Sequence, residues 1–163
     1  MKTDRYYDDI AKGYDELYKR EQMKKLKLIL KNIKIPSGAA VLDVGCGTGY
    51  ALEFFENSLG LDPSIELLKK SKSRVVCANA ENMPFKDKAF DLVFSITAVH
   101  HFNLEKAIPE MLRVGRENFV FTVLKRIDNF NKIIETIKTS FDVYKMLEED
   151  KDFILFCKHR VRV

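Results

Sequence analysis

The sequence predicts one three-layer α/β domain, a seven-stranded and mostly parallel sheet with helices on both faces. Three observations carry this. Short apolar runs alternate with amphipathic stretches of helical period along the chain. Residues 41–50, VLDVGCGTGY, join one apolar run to a glycine-rich turn and then to a helix-forming stretch. The runs 141–146 and 153–157 flank the turn Glu148-Glu149-Asp150-Lys151. A turn that short requires an antiparallel hairpin, so the final strand runs against the others.

The chain has 163 residues, 46% hydrophobic and 32% charged, which suits a single domain with a core of its own. The net charge of +4 is a mild basic excess that admits a nucleic-acid substrate without pointing to one. No apolar run reaches the roughly 18–20 residues of a membrane span. The polar opening, MKTDRYYDDIAKGYDE, is unlike a signal peptide. Cys46, Cys77 and Cys157 are odd in number and form no C-x-x-C pair. The expectation is reduced thiols in a cytoplasmic protein and no metal site. No repeat or linker divides the chain, so residues 1–163 read as one domain with a helical cover over residues 1–35.

In chain order, residues 3–19 place Tyr6, Tyr7, Ile10, Tyr14, Leu17 and Tyr18 at three- and four-residue steps among charges. That is a helix, with Gly13 weakening its middle. Residues 21–33 form a second helix, with Met23, Leu26, Ile29 and Ile33 inside and Lys24, Lys25, Lys27, Lys31 and Lys34 on a solvated face. The first strand follows at Val41. A short helix from Tyr50 leads to a strand over 58–62 that ends in Asp62. Pro63 and Ser64 then start a helix over 65–72. Strands follow at 74–78 and 89–95, the latter almost wholly apolar as a central parallel strand should be. A helix over 103–114 contains Pro109, which should kink it or mark its start. Gly115-Arg116-Glu117-Asn118 read as a short link to a strand over 119–124. A helix over 128–139, capped by Asp128, precedes the hairpin.

Glycine admits φ > 0 and lets a ligand touch the backbone, so Gly45, Gly47 and Gly49 after a strand suit a polar small molecule held at a helix N-terminus. A plain tight turn is the competing reading. A P-loop would need Gly-Lys-Ser/Thr, which is absent. The dinucleotide fingerprint needs G-x-G-x-x-G, and here Tyr50 holds its sixth position.

Preceded by V-L-D-V and carrying Cys46, this stretch resembles motif I of the class I S-adenosylmethionine (SAM)-dependent methyltransferases. The resemblance runs from about residue 6 to 158 and implies their Rossmann-like fold, with SAM as cofactor and S-adenosylhomocysteine as product. It implies that Asp43, Gly45, Cys46, Gly47 and Gly49 hold the methionine part. It gives Asp62 the ribose, where helix capping is the alternative. Asn79-Ala80-Glu81-Asn82-Met83-Pro84-Phe85 is similar to the segment that reads adenine, with the Asn79 amide oxygen and the Ala80 N–H as its bonding groups. Tyr7 and Tyr14 match a lid over the cofactor, or else belong to core and rim.

The end of the strand over 89–95 delivers Ser95 and residues 96–102 to the carboxyl edge, where ligands of open α/β sheets bind. His100 and His101 fall there, each either a general base or a packing residue, and adjacent side chains should diverge so that one at most faces the site. The implied reaction is methyl transfer to an acceptor, a small molecule or RNA. The run 95–102 with A-I-P-E-M-L-R-V also looks like that of wobble-uridine tRNA methyltransferases. A SAM-binding subunit serving a protein partner is the alternative. A nucleotide-dependent oxidoreductase is disfavoured by the glycine spacing and the terminal hairpin.

Overall fold

The computed structural model describes residues 3–161, with the backbone alone for residues 3–15. Its elements are α1 (Thr3–Asn32), β1 (Ala40–Val44), β2 (Asn57–Asp62), α2 (Ile65–Leu68), β3 (Val75–Cys77), β4 (Phe90–Ser95), α3 (Leu104–Val114), β5 (Gly115–Leu124), α4 (Phe130–Ser140), β6 (Phe141–Glu148) and β7 (Asp152–His159). The seven strands form one sheet in the order β3-β2-β1-β4-β5-β7-β6. Neighbours from β3 through β5 pair parallel. β7 pairs antiparallel with both β5 and β6, so it alone runs against the rest. The chain winds outward from β1 in one direction and from β4 in the other. The carboxyl ends of these two strands are therefore the switch point at which open α/β sheets bind ligands.

Alternation along each strand divides the core between two faces. Val41, Leu92, Phe94, Val120, Ile154 and Phe156 pack with Leu26 and Ile29 of α1. Leu42, Val93, Phe119, Phe121 and Leu155 pack with Met111 of α3 and Ile133 and Ile137 of α4. The two sets make the three expected layers.

Several elements differ from the sequence expectation. The two predicted N-terminal helices are one, α1, which runs unbroken through Gly13. A single glycine costs a helix about 1 kcal/mol relative to alanine, less than the stripe of Leu26 and Ile29 returns by burial. The helix expected after the glycine turn is a five-residue 3-10 turn, Tyr50–Phe54. α2 stops at Leu68, because the Lys70 and Ser71 N–H groups turn to the carbonyls three residues back, at 3.1 and 3.0 Å. α3 runs through Pro109. The predicted link 115–118 is itself strand, since β5 starts at Gly115 directly out of α3. A Cβ on Gly115 would lie 2.4 Å from the Phe119 ring, so the corner is closed to larger residues. α4 starts after Asn129, which makes no side-chain cap bond, so Asp128 is not its cap.

The middle of the sheet should be intolerant of lost volume. Phe94, wholly buried at the centre of β4, predicts that Phe94→Ala costs about 3–5 kcal/mol. Urea unfolding of the purified variant measures it.

Candidate cofactor site

β1 delivers Asp43 and Val44 to the switch point, and the chain then folds back over residues 45–49. Gly45, Gly47 and Gly49 have φ of +79°, +55° and +79°. The turn hangs on the end of β2. The Leu61 carbonyl accepts from the N–H groups of Gly45 at 2.7 Å and Cys46 at 3.0 Å. Asp62 Oδ2 accepts from the Gly47 N–H at 2.9 Å.

The three glycines do different work. A Cβ at Gly45 would stand 2.6 Å from Ala98 Cβ and 3.2 Å from the Phe102 ring. A Cβ at Gly49 would stand 2.5 Å from Ser71 Oγ. Those two let neighbouring elements close on the turn. At Gly47 the nearest atom is Leu67 Cδ1 at 4.0 Å, so this is where the backbone faces open space.

Two acids flank the turn. Asp43 is 3% exposed, and its Oδ1 has no hydrogen-bond partner among the described residues. Burial, reinforced by the charge of Asp62, pushes its carboxyl up to about 8. Asp62 is also buried, and its Oδ1 accepts from the Ser64 N–H at 2.8 Å. Ser64, not Asp62, caps α2, its hydroxyl accepting from the Leu67 N–H. Each oxygen of Asp62 still has a lone pair for a further donor. Tyr50, just past Gly49, lies in the field of Asp43 and of Tyr18 from α1, and burial raises its phenol.

This donor set suits a ligand with a cationic group near the turn and hydroxyl donors near Asp62. A methionine amino group has the charge that the unpaired oxygen of Asp43 lacks, and a ribose has the hydroxyls. The residues present therefore fit SAM.

A family model described as "Methyltransferase domain" matches residues 42–123, from β1 through β5. The chain belongs to the SAM-dependent methyltransferases. An uncharacterised protein of Methanocaldococcus jannaschii is 40% identical to this methyltransferase over 151 residues, 82% of the chain. The Arabidopsis thaliana tRNA (carboxymethyluridine(34)-5-O)-methyltransferase is 32% identical over 119 residues, 68% of the chain. The chain spans 60% of the first relative's length and 29% of the second's. A Haloferax volcanii methyltransferase, solved in complex with the Trm112 methyltransferase activator, shares the fold with a TM-score of 0.77 and 15% identity. That alignment covers 95% of this chain and 96% of the other.

The remaining expected residues of the methyltransferase fall into two groups. Asn79 is exposed, and its carbonyl accepts from the Asn82 N–H at 3.2 Å. Ala80 is buried, and its N–H makes no hydrogen bond among the described residues.

Three others are committed elsewhere. Cys46 turns its sulfur away from the open side, into a small core with Leu52 and Leu68, and a Cβ on Gly60 would lie 2.5 Å from it. Burial and the two acids raise its thiol, so it is inert packing. The Ser95 hydroxyl is wholly buried and donates to the Val44 carbonyl at 2.8 Å, tying β4 to β1. Glu81 Oε1 accepts from the Asn103 N–H at 2.8 Å, at the start of α3. The side chains of Tyr7 and Tyr14 lie outside the described residues.

His100 and His101 sit on a 3-10 turn, Val99–His101, and do not diverge as expected. Their ring centroids are 4.0 Å apart. His101 is exposed. His100 is half-buried, and its Nδ1 has no hydrogen-bond partner among the described residues. Burial first, and then His101, lowers the pKa of His100, so it is neutral at pH 7.

Several residues that shape the loops beside the turn escaped the sequence reading. Glu110 Oε2 accepts from the Met83 N–H at 2.7 Å, and Arg113 donates to the carbonyls of Met83 at 3.0 Å and Phe85 at 2.7 Å. With a Glu110–Arg113 ion pair at 2.7 Å, these clamp the adenine-side loop to α3. Their i,i+3 spacing was the available signal. Lys25, read as one of a solvated face, is 1% exposed. It belongs to the stripe Gln22, Lys25, Leu26, Ile29, and stepping back from the apolar residues by three and four finds it.

Asp43 has a pH consequence. An acid whose folded pKa is raised binds its proton more tightly folded than unfolded. Its contribution to stability is therefore largest at low pH and is lost as pH rises from about 4 towards 8. Asp43→Asn should be more stable than the parent at pH 8 and gain little at pH 4, read from thermal melts across that range.

Proposed function

We propose that this chain transfers the methyl group of SAM to an RNA acceptor, with tRNA as the first substrate class to test. The observation that carries the cofactor side is the unpaired, buried oxygen of Asp43 beside the open backbone of Gly47. The acceptor side is supported by the likeness to the Arabidopsis tRNA methyltransferase, and the net charge of +4 is compatible with it.

Asp43 would accept from the amino group of the methionine part, Asp62 from the ribose hydroxyls, and Asn79 and Ala80 would read the adenine edge. When bound, SAM supplies an electrophilic methyl on a sulfonium whose departing thioether is neutral. The chain therefore needs no oxyanion donor. Its residues hold and align, which can lower the barrier by roughly 7–11 kcal/mol. His100, neutral with a buried and unpartnered Nδ1, is the group to take a proton from an acceptor hydroxyl or amine. A protein partner of the activator kind, as in the Haloferax complex, belongs to this proposal.

A second reading, a SAM-binding subunit without chemistry of its own, is favoured by the same His100, since its Nδ1 has no hydrogen-bond partner among the described residues to orient the ring. Labelled SAM incubated with the protein and a cell extract, then fractionated into RNA, protein and small molecules, separates the readings. Label in RNA is the expected result. Label in small molecules would move the acceptor, and none in any fraction despite SAM binding would favour the subunit.

Asp62→Ala removes a charged acceptor for two hydroxyls. Calorimetry should show SAM binding weakened about tenfold or more, as for hydrogen bonds to a charged group. Undiminished affinity would remove Asp62 from the ribose role.

A further inference from the structure

Lys25 of α1 and Asp152 at the start of β7 form an ion pair at 2.9 Å, with side chains 2% and 0% exposed. Neither belongs to the set that holds the cofactor. A buried pair of this kind can often be replaced by apolar residues without loss of stability, so stability alone does not account for it.

Thr97 stands between the pair and the site. Its hydroxyl accepts from Lys25 Nζ at 2.8 Å and lies 3.1 Å from Asp152 Oδ2 and 3.2 Å from both Gln22 Oε1 and Thr122 Oγ1. Its N–H donates to Thr122 Oγ1 at 2.6 Å. Thr97 has φ of +53°, a left-handed conformation that β-branched residues avoid. Such a backbone persists only where its surroundings over-determine it. Here α1, β5 and β7 all converge on one hydroxyl.

The next residues are those that lie on the glycine turn. Ala98 and Phe102 are the two side chains that meet the space beside Gly45. His100 lies between them. The charged groups that face it come from three elements: His101 from its own turn, Asp152 from β7 and Lys25 from α1.

We propose that Lys25 and Asp152 are positioning residues, which through Thr97 hold residues 96–102 against the glycine turn and so place His100. α1 is then part of the site as well as its cover, because the seating of the helix and the shape of the loop share one hydroxyl. Asp152 and Lys25 also set the field on His100, with opposite signs. What this does to chemistry rests on the methyl-transfer reading. The latch itself does not.

NMR on the whole chain tests it. Thr97→Val keeps the branched shape and removes the hydroxyl, while Thr97→Ser keeps the hydroxyl. Loss of the nuclear Overhauser contact between Gly45 Hα and the Phe102 ring is expected in Thr97→Val, with retention in Thr97→Ser. The His100 titration midpoint should fall in Asp152→Asn and rise in Lys25→Met. A single substitution strands one buried charge and can unfold the chain, so Lys25→Met/Asp152→Leu is measured as well. There the contact between Gly45 Hα and the Phe102 ring should weaken, because the pair that fixes the Thr97 hydroxyl is gone. A folded Thr97→Val or a folded double variant that keeps the parent's contact would overturn the proposal. Failure of the parent to bind SAM by calorimetry would sink the methyl-transfer reading and leave these NMR outcomes standing.

Discussion

The site depends on the carboxyl end of β2. Leu61 and Asp62 between them bind three consecutive parts of the glycine turn, through the N–H groups of Gly45, Cys46 and Gly47. That fastening makes the left-handed backbone of the turn a consequence of sheet pairing and not of the turn's own preference. It also commits Asp62 to a position near Asp43. Two buried acids so placed cannot both ionise at low cost. A ligand that brings a cation to Asp43 would relieve that cost.

Polar groups concentrate at the carboxyl rim of the sheet, while its middle is apolar on both faces. Two clamps work there. On the α3 side, Glu110 and Arg113 fasten the loop that follows β3. On the α1 side, Lys25 and Asp152 meet at Thr97 in the loop that follows β4. The Lys25–Asp152 pair is screened from water, where Coulomb attraction is strong and an unmatched charge is costly, while the Glu110–Arg113 pair stays partly exposed. Rigid walls on either side of the switch point follow from this arrangement.

Much of the fold was legible because its signals are local. The apolar runs marked all seven strands, and the short turn before β7 implied its reversed direction. The misses share a cause. Helix against 3-10 turn after Gly49 is decided by how β2 receives the chain, and nothing within residues 50–54 states that. The link predicted at residues 115–118 became strand because β4 offered a partner edge to it. Gly13 was over-weighted, since packing of the other half of α1 outweighs a single poor helix former. His100 and His101 were expected to diverge, but a tight turn brings their rings together.

The sequence alone singled out the glycines, Asp43 and Asp62 as a candidate set, because motif spacing and strand ends are properties of the chain. The cofactor class came from the resemblance of the glycine-rich stretch to motif I of the SAM-dependent methyltransferases. Only the tertiary structure decided which groups stay free to meet a ligand. Ser95 and Cys46 have the right positions in the chain, yet their side chains are consumed by Val44 and by the packing around Gly60. Lys25 and Asp152 stand 127 positions apart in the sequence, and each looks like an ordinary surface charge. Their pairing exists only because α1 and β7 bring them together out of water. A hydrogen bond or ion pair between distant residues carries no local signature, so folding, and not spacing, decides it.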